Sequence, residues 1–434
     1  ASLNFANSGT VNVTANANAA AVPFLTATGT ATGTGTGTAT APGMTPTAPA
    51  SGSAHALAIG YVGNGTVPVG GVNVASVTNS GTINVNASAA APVTAVASAQ
   101  GIVLNAPTTS VTTTPTGATA PVTTVTGGAL LANVTNSGNI NVVAKAAGLG
   151  TTATTATNTT AGGATTTVVT THPHSSAFAT GIRLNAGALA TTVTTTTANG
   201  ATNATVTNST ITNSGTINVQ AVTNGGPANA YGIRVVNNGD TASGGGPLII
   251  NNSGDIIAQF STDGGTTFHR ATAIDVTEAP SPTVVNLLGG NITGDINLQS
   301  NADAINVTTG ETFFNGVINA GCFDAAAIAA GGDNPTASSC GVGTLTIGDG
   351  ADAGGNLHMT IDPVDGPSYA FVNTFTVNSD GTLTLDLPAA TGGTAAPGTY
   401  PQIFADTANL GGTLVANISS PNGLFDTTTY DNVI

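Results

Sequence analysis

Charged side chains are scarce in this sequence, at 5% of 434 residues, against roughly a quarter in ordinary soluble domains. Four basic residues cannot neutralise a phosphate track, which excludes nucleic acid as a partner. Tryptophan is absent and aromatics make up only 4%, so a core of bulky rings is excluded as well. Leu, Glu, Lys and Arg give way to Thr, Val, Gly and Asn, and no window sustains a three-four apolar spacing, which argues against helices. No apolar run approaches the roughly eighteen residues a membrane-spanning helix needs. Nor does a signal peptide open the chain, and Ala1 reads as the first residue of a processed form. Low charge here does not mean disorder, because 40% of the residues are apolar.

What is abundant is a returning phrase. Asn79-Ser80-Gly81-Thr82-Ile83-Asn84-Val85 reappears at Asn136-Ser137-Gly138-Asn139-Ile140 and at Asn213-Ser214-Gly215-Thr216-Ile217, with looser copies at Asn7 and at Asn252-Ser253-Gly254. A second phrase alternates with it: Gly101-Ile102-Val103-Leu104, Gly181-Ile182-Arg183-Leu184, Gly232-Ile233-Arg234-Val235 and Ala273-Ile274-Asp275-Val276. Where nothing intervenes, one phrase follows the other after about twenty residues, a solenoid repeat length. The spacing leaves open whether the unit is one rung of that length or a pair of alternating rungs. Longer gaps are filled with Thr, Ala, Gly and Pro, as in residues 26–49, 108–120, 151–171 and 191–205, and read as loops pushed out of a coil.

Within the phrases, apolar residues fall at every second position (Ile83, Val85, Ala87; Ile140, Val142, Ala144), the pattern of half-buried strands. The fold class is therefore all-β, a stacked parallel coil with rungs of about twenty residues and long Thr/Gly/Ala-rich insertions. Asn79, Asn136, Asn213 and Asn252, with Gly81, Gly138, Gly215 and Gly254, mark the corners. They serve either as turn formers or as a ladder of stacked amides. About fifteen rungs at 4.8 Å each would give a rod of about 70 Å.

Charge is segregated along the chain. Lys145, Arg183 and Arg234 give residues 1–239 a charge of +3, and nineteen acidic residues against Arg270 give residues 240–434 a charge of −18, summing to −15. Acidic pairs such as Asp349/Asp352 could hold Ca²⁺, but they lack the spacing of known calcium loops, so no cofactor or metal is expected. His172-Pro173-His174 stands in a Thr-rich insert without a third ligand. Cys322 and Cys340 bracket residues 323–339, and a disulfide there would close a loop in an oxidising compartment.

Three regions are expected: residues 1–300 as repeat solenoid with inserts, 301–370 as a less regular part with the cysteine loop, and 371–434 as terminal coils. The runs at 211–219 and 230–235, with 398–403, 412–418 and 424–434, resemble the passenger domains of bacterial autotransporters. That resemblance implies a right-handed β-solenoid exported to the outer surface of a Gram-negative bacterium, here without a translocator barrel.

Residues 1–239 contain no carboxylate, and in the rest the acids read as dispersed, tied to neither His nor Arg. A polysaccharide-acting enzyme is thus a minor alternative and no catalytic residue is expected. Thr arrays for binding ice would have to recur at one rung position, and they do not. The leading expectation is a structural subunit stacking head to tail into an extracellular filament, since open solenoid ends leave unpaired edges. An adhesin displaying Thr-rich loops to cells or glycans is the alternative.

Overall fold

The structure, a computed structural model, describes residues 2–18, 28–30, 53–64, 72–91, 94–106, 108–113, 122–127, 129–148, 152–157, 165–170, 174–189, 192–198, 201–237, 246–298, 302–320, 343–351, 354–388, 393–396, 398–419, 428–430 and 433–434. Among the described residues there is no helix, and nearly every strand of the body pairs in parallel with its equivalent in the next turn.

Each turn has three faces. The first holds Val72–Asn79, Ala129–Asn136, Ser209–Asn213 and Leu248–Asn252 in register. The second follows the Asn-Ser-Gly corner with Thr82–Ala91, Asn139–Gly148, Thr216–Thr223 and Asp255–Ser261. The third carries the Gly-Ile-Arg phrase, with Thr94–Asn105, His174–Asn185, Ala228–Val236 and Thr272–Asp275 stacked. The first and third faces merge into one eighteen-stranded sheet, because Tyr369–Val377 and Gln402–Leu410 run continuously from one to the other. Alternation turns one side of each strand inward, and the inward Ile, Val, Leu and Ala residues form a single apolar column from Phe5 to Ile403. Burying each Ile or Leu in it is worth about 2–3 kcal/mol.

The register settles the repeating unit. In the first part of the chain the two phrases lie on different faces of one turn, and Asn213 and Asn252 are 39 residues apart. Between residues 272 and 318 two turns shrink to about twenty residues, with Ile274 paired to Ile296 and Ile296 to Ile318 on the third face, and Asn286 and Asn306 20 apart on the first. The second face stacks ten strands, so the body is about 45 Å long rather than 70 Å. Most turns simply consume more chain than one rung of twenty residues.

The corners are tied by an internal amide ladder. Asn7 Nδ2 donates to Asn79 Oδ1, Asn79 to Asn136, Asn136 to Asn213, and Asn213 to Asn252, each at 2.7 Å. All five side chains are buried. Without these partners each buried amide would cost about 1–3 kcal/mol. Two residues on, the corner glycines pass so close that no side chain fits. A Cβ on Gly81, Gly138, Gly215 or Gly254 would lie about 2 Å from the carbonyl oxygen of the preceding glycine in the stack.

Three of the Thr-rich inserts hold antiparallel hairpins: Thr108–Thr113 with Val122–Gly127, Thr152–Thr157 with Thr165–Thr170, and Thr192–Ala198 with Ala201–Thr207. The sequence joins the last pair through Asn199-Gly200, the pair favoured by two-residue hairpin turns. Most of residues 26–49, and both Cys322 and Cys340, lie outside the described residues; of the first insert, Thr28–Thr30 is described, pairing with Leu57–Ile59.

Candidate functional site

Two features of the body stand out, the last coil and a polar cluster on the flank. In the last coil, strands Gln402–Leu410 and Thr413–Ser419 continue the columns of Val377, Leu383 and Leu387, which are buried one layer below. Among the described residues no strand pairs with them on the far side. Leu410 is 60% exposed, Leu414 57% and Ile418 41%. The third face of this coil is covered instead. Ile403 N–H donates to the Val433 carbonyl at 3.0 Å, and Tyr430 meets Tyr400 edge-on at 5.3 Å. At the opposite end Val11, Val13 and Ala15 are buried, while strands Ser2–Asn7 and Thr10–Asn18 have a strand partner on one side only among the described residues.

The flank cluster corrects the reading that the acids are tied to neither His nor Arg. A short hairpin, Ile361–Asp362 with Gly366–Pro367, places Asp365 against His269 and Arg270, about a hundred positions earlier in the chain. Asp365 Oδ1 meets His269 Nδ1 at 2.7 Å and its Oδ2 accepts Arg270 N–H at 2.6 Å. The Arg270 guanidinium donates to the Asp365 carbonyl, to Asn315 Oδ1 and to the Pro367 carbonyl. Asn315 in turn donates to Asp362. Burial pushes the Asp362 carboxyl up, but the Asn315 amide, the Val364 and Asp365 N–H groups and the Arg270 charge outweigh it and hold it below the usual range. Asp295 goes the other way. Burial raises it to about 6, and the Val317 N–H and Arg270 only partly oppose that.

No family model matches the chain, and comparisons with curated proteins and with solved structures return no match either. The arrangement of these side chains is therefore the guide to what they do.

A second cluster lies on the second face, where His358 sits between Asp386 (2.8 Å) and Glu311 (3.4 Å) and beside Phe313. On the third face Arg234 stands over Tyr231, 4.3 Å from the ring centre, and pairs with Asp275 at 3.3 Å. Arg183, one layer away, is shifted down by burial and by the neighbouring Arg234 charge. The carboxylates that meet His358 and Arg234 come from neighbouring layers, so these charges brace one layer against another, while Tyr231 shares a strand with Arg234. Among the described residues no three His, Cys, Asp or Glu side chains come together in a way that could hold a metal ion. His172 and Pro173 lie outside the described residues, and His174 opens the strand that pairs with Thr94. Sequence reasoning missed both histidine clusters because hairpins and inserts decide which layers become neighbours. The one usable signal was Arg270, the single basic residue among nineteen acids.

Proposed function

We propose that this chain is a structural subunit of an extracellular filament or coat, stacked head to tail through its end coils, with no catalytic role. The observation that carries this reading is the uncovered apolar column at Leu410, Leu414 and Ile418. A sheet edge with exposed apolar residues seeks a further strand. The free edges of Ser2–Asn7 and Thr10–Asn18 can supply one in parallel, as every layer of the body does. Charge supports the same pairing, since the segment with the last coil carries −18 while the first coil bears no charged side chain, so acidic ends repel one another but meet a neutral end without that penalty. A contact between unlike ends does not close on itself and grows a fibre. The resemblance of residues 211–219 and 230–235 to autotransporter passengers supports export to the outer surface of a Gram-negative bacterium, with the right-handed coil that it implies.

The test is electron microscopy with light scattering across a concentration series of purified protein. Linear polymers that lengthen with concentration are expected, and Leu414→Lys should leave short rods. Rods that stay single at every concentration would overturn the proposal. Adhesion is a second reading, supported by the three Thr-rich hairpins in the acid-free part. Deleting residues 151–171 would then lower attachment to cells while polymerisation persists.

A further inference from the structure

A shallow groove of about 260 Å³ runs along the flank of the rod, lined by Asn229, Tyr231, Phe260, Arg270, Thr272 and Asp295. Its floor is a registered column. Tyr231 pairs with Thr272, and Thr272 with Asp295, so the two ends of the floor lie about 10 Å apart. Its wall comes from Asp255–Ser261 and His269–Arg270, which pair antiparallel and place Phe260 opposite His269. The rings of Phe260 and His269 stack at 5.4 Å, which steadies the Phe260 ring at the groove's edge.

The groups around the groove narrow the ligand class. Arg270 borders it, but its guanidinium is already held by Asn315, the Pro367 carbonyl and the Asp365 carbonyl and cannot turn to clasp an anion. Asp295 further disfavours an anion, while Arg270 at the border disfavours a cation. What remains is an uncharged ligand with hydroxyl donors and an apolar face. One Asp295 oxygen already accepts the Val317 N–H at 2.9 Å, and a hydroxyl donor would satisfy the carboxylate further. Phe260 offers an aromatic surface, and Asn229 and Thr272 add amide and hydroxyl partners.

We propose that this groove binds a neutral polyhydroxylated ring, the terminal sugar of a glycan, with Asp295 accepting ring hydroxyls and Phe260 packing on the ring's apolar face. The site is separate from the end coils and stands or falls independently of polymerisation. Burial that holds the Asp295 proton up to about pH 6 fits a carboxylate lacking a full set of donors in the free protein.

Saturation-transfer NMR on the full chain tests it, with methyl glycosides of glucose, galactose and mannose as neutral probes. Glucuronate and tetramethylammonium serve as charged ones. At least one neutral glycoside should bind saturably, about tenfold more weakly in Asp295→Asn, and not at all in Phe260→Ala. Far-UV circular dichroism checks that both variants keep the strand signal, and Asp406→Asn, on the exposed last coil, should bind as the parent does. The absence of saturable binding by any neutral probe overturns the proposal. So does binding that survives both substitutions, or tighter binding of either charged probe.

Discussion

The two parts of the rod bind their layers together by different chemistry. Up to Asn252 the glue is neutral, a buried amide ladder at each Asn-Ser-Gly corner and a second, outer one through Asn12, Asn84 and Asn141. Beyond it the inner ladder stops, because Leu287 occupies the next position above Asn252. There ion pairs and charged hydrogen bonds join in, as at Asp365, Asp386 and Glu311, beside a short outer amide run through Asn251, Asn286 and Asn306. Both schemes satisfy polar groups between layers. Only the amide scheme works without charge, so it can be fully buried and repeated at no cost in repulsion. The segregation of charge along the sequence thus follows a change in how successive turns are joined.

The sharpest way to break the neutral part is Gly138→Ala. A Cβ there would lie 1.9 Å from the Gly81 carbonyl oxygen, so backbone must move, and a loss of about 3 kcal/mol or more is expected. Denaturant melts monitored by circular dichroism measure it. Next comes Asn136→Ala, which strands the Asn79 donor and the Asn213 acceptor inside the body, for about 2–3 kcal/mol. On the partly exposed outer ladder, Asn141→Ala should cost less than about 1 kcal/mol. Equal losses in the two ladders would erase the distinction drawn between buried and outer amides.

In the charged part a substitution should stabilise. The folded chain holds the Asp295 proton up to about pH 6, above the usual carboxyl value of 3.8. Its ionisation therefore costs nothing below pH 3.8, an increasing amount from there to pH 6, and its full amount above. Asp295→Asn should raise stability by about 2–3 kcal/mol at pH 8 and leave it unchanged at pH 3. A gain independent of pH would show that something other than the buried charge is involved. The smallest effect belongs to Arg234→Met, which removes a partly exposed ion pair and the contact with Tyr231 for about 0.5–1 kcal/mol. High salt should shrink that loss but leave the Asn136 penalty untouched.

Much of the fold was legible because its determinants are local. Ile83, Val85 and Ala87 alternate as a strand must, and Gly81 stands where only a bare backbone fits. The pairing of Asn79 with Asn136 could be posed from the repeated phrase, though turn formation explained the same residues equally well. The length of a turn was not legible. Two phrases twenty residues apart look the same whether they stack or lie side by side on different faces, and only register decides. Nor could the partners of His269 and His358 be read. Asp365 reaches His269 through a hairpin whose position depends on the length of every intervening turn. The groove next to Asp295 escaped for the same reason, since its lining comes from five separate strands.

The hairpin that carries Asp365 has a mechanical consequence. It reaches across the narrow turns, where Ile256–Ile292 and Ile257–Thr293 are the pairs that join one second-face strand to the next. In a solenoid, stability is roughly a sum of couplings between adjacent repeats, so the rod is weakest at that waist. By fastening residues 269–270 to 362–367 the hairpin acts as a splint over the weak point. With it in place the wide stem and the acidic tip unfold as one body, and with Asp365 removed they should come apart as two.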